Sequence, residues 1–117
     1  MDWQDKLKEK YPLTLSSLAY FECDEGWSCL LDSLCLVIEN RIKNAKLKEM
    51  HAIQIKEKFG TLRFYMTLSE DYIDGAIDMA ERQSANICEV CGKHGTLEKS
   101  HGWWKTLCED HRSSLKK

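Results

Sequence analysis

The chain of 117 residues, 43% hydrophobic and 31% charged, is one domain's worth of ordinary globular composition, neither disordered nor membrane-like. No apolar run approaches the roughly 20 residues that span a bilayer, and the charged start MDWQDKLKEK lacks the apolar stretch of a secretion signal, so a cytoplasmic protein is expected. The net charge of −2 divides into +2 over Cys88–Lys117 (six basic, four acidic) and −4 over the rest (eleven against fifteen), and neither part has the strongly basic balance of a dedicated nucleic-acid binder.

In chain order, a short amphipathic helix begins near Asp2 with Trp3 and Leu7 on one face, and it must end before Tyr11-Pro12. The stretch Leu13 to Phe21 is apolar but mixed, and its state is not decided by pattern. Asp24 offers a side-chain oxygen to cap a second helix. Trp27, Leu30, Leu31, Leu34, Val37, Ile38 and Ile42 then recur at helical spacing to about Lys43. Next the period changes to alternation. Ile53 and Ile55 point one way, Gln54 and Lys56 the other; Gly60 breaks the run; Leu62, Phe64, Met66 and Leu68 alternate with Arg63, Tyr65 and Thr67. This predicts a β-hairpin turning around Glu57 to Thr61, with one apolar face. Ser69 is placed to cap a third helix with the stripe Ile73, Ala76, Ile77, Ala80 and Ser84. The expected fold class is α+β, helices packed on a β-hairpin. An α+β core over 1–87 carries a zinc-binding module over 88–117, ribbon-like or treble-clef-like.

Four residues carry the chemistry of that module. Cys88 and Cys91 form C-x2-C, sixteen residues intervene, and Cys108 and His111 form C-x2-H. Three thiolates and one imidazole suit a structural Zn2+, which fills all four positions with protein. Thr96 to Leu107 reads as a small hairpin turning at His101-Gly102. His94 and His101 are rival fourth ligands, but His111 alone repeats the x2 spacing. Cys23, Cys29 and Cys35 lie in or beside the apolar helical pattern and read as reduced core or boundary residues.

The catalytic alternative is a zinc-stapled nuclease with His101 as the residue that activates water. The pattern departs from it. Ser100, not an acidic residue, precedes His101, and six residues follow His111, too few for a helix bearing a distal metal ligand. No Gly-rich phosphate cradle, H-E-x-x-H or nucleophile elbow is present, so no enzyme is expected.

Two strings together carry a resemblance. "IKEKFGTLRFY" at Ile55 to Tyr65, then "CEVCG" and "GWWKTLCEDH", resemble a family of small, largely uncharacterised proteins of bacteria, phages and other mobile elements. The likeness covers about Gly26 to His111. It implies the same zinc ligands and no activity. Small proteins of mobile elements often bind and disable host or defence proteins, which orients the functional expectation.

Lys56, Lys58, Arg63 and Tyr65 share or border the outer face of the first hairpin, a surface suited to an anionic contact or to a merely solvated, lysine-guarded strand. Trp103 and Trp104 are adjacent on a strand and point to opposite faces; one is expected against the helices, the other exposed towards a protein partner. The expectation is therefore a non-catalytic zinc-binding interaction protein with a protein partner. A nucleic-acid-binding module using the basic hairpin face is the alternative.

Overall fold

The computed structural model describes residues 2–115. Helix α1 (Trp3–Lys10) starts where the Asp2 carboxylate accepts the Asp5 N–H at 2.8 Å, and it stops at Tyr11 because proline follows. Tyr11 is buried and its hydroxyl donates to Asp32, while Lys10 Nζ sits 3.1 Å from the same carboxylate. These contacts tie α1 to α2 (Ser28–Ala45). A single 3-10 turn, Glu25–Trp27, leads into α2, and Asp24 makes no side-chain capping bond there, contrary to expectation.

The undecided stretch before α2 is organised by a buried glutamate. Glu39, on the inner face of α2, takes the Thr14 N–H and hydroxyl at 2.8 Å each and the Leu13 N–H at 3.2 Å. Three donors compensate a carboxylate that burial would otherwise penalise. The chain so held enters β1 (Tyr20–Glu22), a strand the sequence reading did not assign. It runs parallel to β2 (Ala52–Lys58), pairing Tyr20 with Gln54 and Glu22 with Lys56.

β2 and β3 (Thr61–Met66) form the expected antiparallel hairpin, in register Ile55 to Phe64 and Lys56 to Arg63. The sheet order is β1-β2-β3, so the helices cover a three-stranded sheet and not a lone hairpin. One part of the expected alternation fails. The register shifts between Ala52 and Gln54, and this irregularity turns Ile53 outward (49% exposed) while Ala52 and Ile55 are fully buried. Leu68, beyond the strand, is also exposed.

β3 would be an open edge, but helix α3 (Asp71–Gln83) closes it. The Leu62 N–H donates to Ser84 Oγ at 2.9 Å and the Phe64 N–H to Glu81 Oε2 at 3.0 Å, so two free strand donors are satisfied by α3 and the turn after it. The cap of α3 is Glu70, not Ser69: its carboxylate accepts the Ile73 N–H at 3.1 Å and pairs with Arg41 of α2 at 2.7 Å. Ser69 bonds instead to Asp74.

One apolar cluster fills the space between these helices and the sheet, from Leu7 through Trp27, Leu34, Ile38, Ile55, Leu62 and Phe64 to Ile73 and Ile77. Cys35 lies inside it and Cys23 at its border; burial pushes the Cys23 thiol up to about 12, helped by the charges of Glu89 and Asp24. Burial raises Cys35 likewise, so both stay protonated. Cys29 departs from the expectation of a core or boundary thiol and is exposed. Among the described residues no helix is long and apolar enough to cross a membrane.

Candidate metal centre and the hairpin tips

The C-terminal region is built around a tight knuckle. Cys88 N–H donates to Lys93 O at 2.7 Å and Gly92 N–H to Cys88 O at 2.9 Å, a reversal that needs the positive φ of Gly92 (+83°). β4 (Thr96–Ser100) and β5 (Trp103–Leu107) follow as an antiparallel hairpin, turning at His101 and Gly102 with φ of 51° and 85°. Helix α4 (Glu109–Leu115) begins directly after Cys108, whose carbonyl accepts the Arg112 N–H at 2.9 Å. The helical start brings His111 back over Cys108, which is the physical content of the C-x2-H spacing.

Cys88, Cys91, Cys108 and His111 therefore converge, with one donor atom from each lying within 4.8 Å of all the others. Cys91 Sγ is 3.7 Å from Cys108 Sγ, and His111 Nδ1 is 3.6 Å from Cys88 Sγ and 3.2 Å from Cys108 Sγ. Such a set can hold one metal ion. Burial works against ionising Cys88, but the N–H groups of Cys108, Cys91 and Val90 and the Cys91 side chain outweigh it and bring that thiol down to about 6. At Cys91 the Lys93 N–H favours the thiolate, yet burial and the crowding of the Cys88 and Cys108 thiols raise it overall. The rival histidines stay apart. His94 is exposed and faces Ile87 across an isolated bridge; His101 is exposed on the turn.

The module is fastened to the core at two places. Trp27, fully buried, donates its indole N–H to Ile87 O at 2.9 Å, and a side chain on Gly26 would collide with the carbonyls of Cys88 and Glu89 at 2.2 Å. At the second place the β2–β3 turn lies on the β4–β5 hairpin. Thr106 Oγ1 donates to Gly60 O at 2.7 Å, and a Cβ on Gly60 would come within 2.9 Å of the Lys105 N. Glu89 sits beside these joints, accepting the Asp24 N–H at 3.1 Å. Burial, reinforced by the nearby charges of Asp24 and Glu57, raises its carboxyl to about 7. Arg112 pins α4 to the hairpin by donating to Thr96 O and Lys105 O. Gly26, Glu89, Thr106 and Arg112 carry no spacing signal and escaped the sequence reading.

The remaining candidates fall on two surfaces. Lys56, Lys58, Arg63 and Tyr65 do share the outer face of the sheet, since Lys56 pairs with Arg63 and Gln54 with Tyr65. Arg63 is 4.0 Å from Glu81, and Tyr20 of β1 extends the Gln54–Tyr65 row. Trp103 and Trp104 point to opposite faces of β5, as Ser100 and Lys99 are their respective partners. Neither packs against the helices. Trp103 is 73% and Trp104 43% exposed, because their strand positions lie at the tip, beyond the core. They line a groove of about 480 Å3 with Glu57, Lys58, Phe59, Lys99 and Gly102, formed where the two tips meet. Phe59, not singled out from sequence, is 66% exposed at a φ of 53°. Its position in a two-residue turn was the available signal, since a side chain there cannot reach the core.

Compared with family models, curated proteins and solved structures, the chain matches none.

Proposed function

We propose that this is a non-catalytic zinc-binding protein of the cytoplasm that acts by docking a protein partner on the joined tips of its two hairpins. Zn2+ is the ion that suits the donor set. Tetrahedral coordination with Zn–S of about 2.3 Å and Zn–N of about 2.0–2.1 Å puts neighbouring donors about 3.6–3.8 Å apart. Knuckle, hairpin and helix start in that order make a treble-clef-like module. With all four positions supplied by protein, the ion would staple the module and leave no site for a substrate. The family resemblance points the reading towards a mobile-element modulator or inhibitor of host or defence machinery.

The observation that carries the docking role is the exposure of Phe59, Trp103 and Trp104 around one groove. Exposed aromatics gathered on one contiguous patch are characteristic of interaction sites, whereas single exposed ones are ordinary. Phe59 adds weight: a bulky residue in a left-handed turn position costs about 1–2 kcal/mol, and asparagine or glycine would serve the turn better. The test is capture from nuclease-treated host lysate by wild-type protein and by Trp103→Ala and Trp104→Ala. Proteins retained by wild type and lost by a tryptophan variant support the reading. Capture that vanishes with nuclease, or survives both variants, contradicts it.

A second reading has its own observation. The row Tyr20, Gln54, Tyr65, beside Lys56 and Arg63, presents ring faces and cations on an uncovered sheet, as single-stranded nucleic-acid platforms do. Replacing Lys56, Lys58 and Arg63 with glutamine would then weaken oligonucleotide binding and flatten its salt slope by about one unit per lost phosphate contact.

A further inference from the structure

The charge of the molecule is sorted by element. The two hairpins, Ala52–Met66 and Thr96–Leu107, hold Lys56, Lys58, Arg63, Lys99 and Lys105 against Glu57 and Glu98, a balance of +3. Everything else carries twelve basic and seventeen acidic residues, a balance of −5. The basic pole of an acidic protein thus coincides with its exposed aromatic groove.

The carboxylates at this pole are already engaged. Glu57 gives an oxygen to the Gly60 N–H at 2.7 Å, and Glu98 lies 3.7 Å from Arg112 and accepts the Thr96 hydroxyl. Lys58 and Lys99 flank the groove, are exposed, and pair with no carboxylate among the described residues. Lys58 Nζ stands 5.7 Å from the Phe59 ring centroid. A cation so placed can meet a carboxylate while its stem stays on the ring.

We infer that the groove's occupant is an acidic segment of the partner protein, its apolar anchor between Phe59, Trp103 and Trp104 and its carboxylates on Lys58 and Lys99. This rests on the docking role proposed above and adds the chemistry of the partner. Two exposed lysines complement a short peptide carrying one or two carboxylates. They are few for a nucleic acid, whose affinity grows with the number of phosphates neutralised.

The experiment selects peptides from a random twelve-residue display library on the zinc-loaded protein, with Trp103→Ala/Trp104→Ala protein for counter-selection. The expected tryptophan-dependent pool is enriched in Asp and Glu next to an apolar residue. Its members should bind at least tenfold more weakly to Lys58→Glu/Lys99→Glu, and their affinity should fall as salt rises. Selection repeated on that charge-reversed protein should shift towards Lys and Arg. A tryptophan-dependent pool that is neutral or basic overturns the acidic partner and leaves the docking role standing. If no tryptophan-dependent pool emerges, while a (dT)12 oligonucleotide binds at low salt and loses affinity in the tryptophan variant, both the acidic segment and the protein-docking role are wrong. Neither peptides nor oligonucleotide depending on the tryptophans has the same consequence.

Discussion

The helix-covered sheet and the C-terminal module are held by different forces. In the first, Trp27, Leu31, Ile38, Ile55, Leu62 and Ile73 are fully buried in one cluster that reaches from α1 to α3. In the second, the buried apolar cluster among the described residues is Cys88, Leu107 and Cys108, two of which are metal-ligand candidates. A core that size cannot offset the conformational entropy of ordering a knuckle, a hairpin and a helix. A metal ion, which the Cys88, Cys91, Cys108 and His111 cluster could hold, would take the place of apolar burial there, and Trp103, Trp104 and Phe59 lie exposed outside either cluster. Tyr11, Trp27 and Phe64 of the sheet region are buried in its core, whereas the aromatics of the hairpin tips are exposed.

The largest expected effect breaks the module alone. Cys88→Ser or Cys108→Ser should abolish stoichiometric zinc binding, removing a coordination free energy on the order of 10 kcal/mol, and unfold residues 88–111, as metal analysis and hydrogen exchange would show. His111 substitution should lower zinc content, whereas His101 substitution should leave it unchanged; the opposite result would mean that the fourth ligand is misassigned. In the sheet region, Leu34→Ala or Phe64→Ala should each cost about 2–5 kcal/mol by denaturant unfolding, since both side chains are 4% exposed. A loss under ~0.5 kcal/mol at Phe64 would put the hairpin inside out.

Glu89, at the joint between the regions, sharpens the comparison through pH. Burial pushes its carboxyl up to about 7 in the folded protein from an ordinary 4.5, so the folded state holds the proton more tightly and stability falls as pH rises from about 4.5 to 7. Glu89→Gln keeps an acceptor for the Asp24 N–H and removes the charge. It should stabilise by about 1–3 kcal/mol at pH 8, and the gain should shrink as pH drops below 7. A pH-independent change would refute the buried-charge account. Smallest of all, Trp103→Ala should alter stability by less than about 0.5 kcal/mol, given its 73% exposure.

The legible parts were those with a period or a spacing. The stripe of α2, the β2–β3 alternation around Gly60, and the doubled x2 pattern each repeat one local geometry, and they are present except at Val37 and Ile53, which are exposed. What escaped depends on partners far along the chain. β1 is three residues long and exists because β2, thirty-four positions later, pairs with it. Glu39 and Glu89 look like ordinary surface acids until the chain folds back to give each a backbone N–H. The irregularity at Ile53 and the Glu70 cap are local choices among near-equivalent residues that only packing decides. The tryptophan placement failed for a related reason: alternation fixes which face a residue takes, not how far along the strand the neighbouring layer extends.

Hydrogen exchange with and without a zinc chelator tests the central contrast most directly. Chelation should deprotect the Cys88, Gly92 and Arg112 amides, bonded to Lys93, Cys88 and Cys108, while the Leu62 and Phe64 amides, bonded to Ser84 and Glu81, stay protected. A metal-free protein whose β4–β5 hairpin and knuckle remain as protected as Leu62 would contradict it.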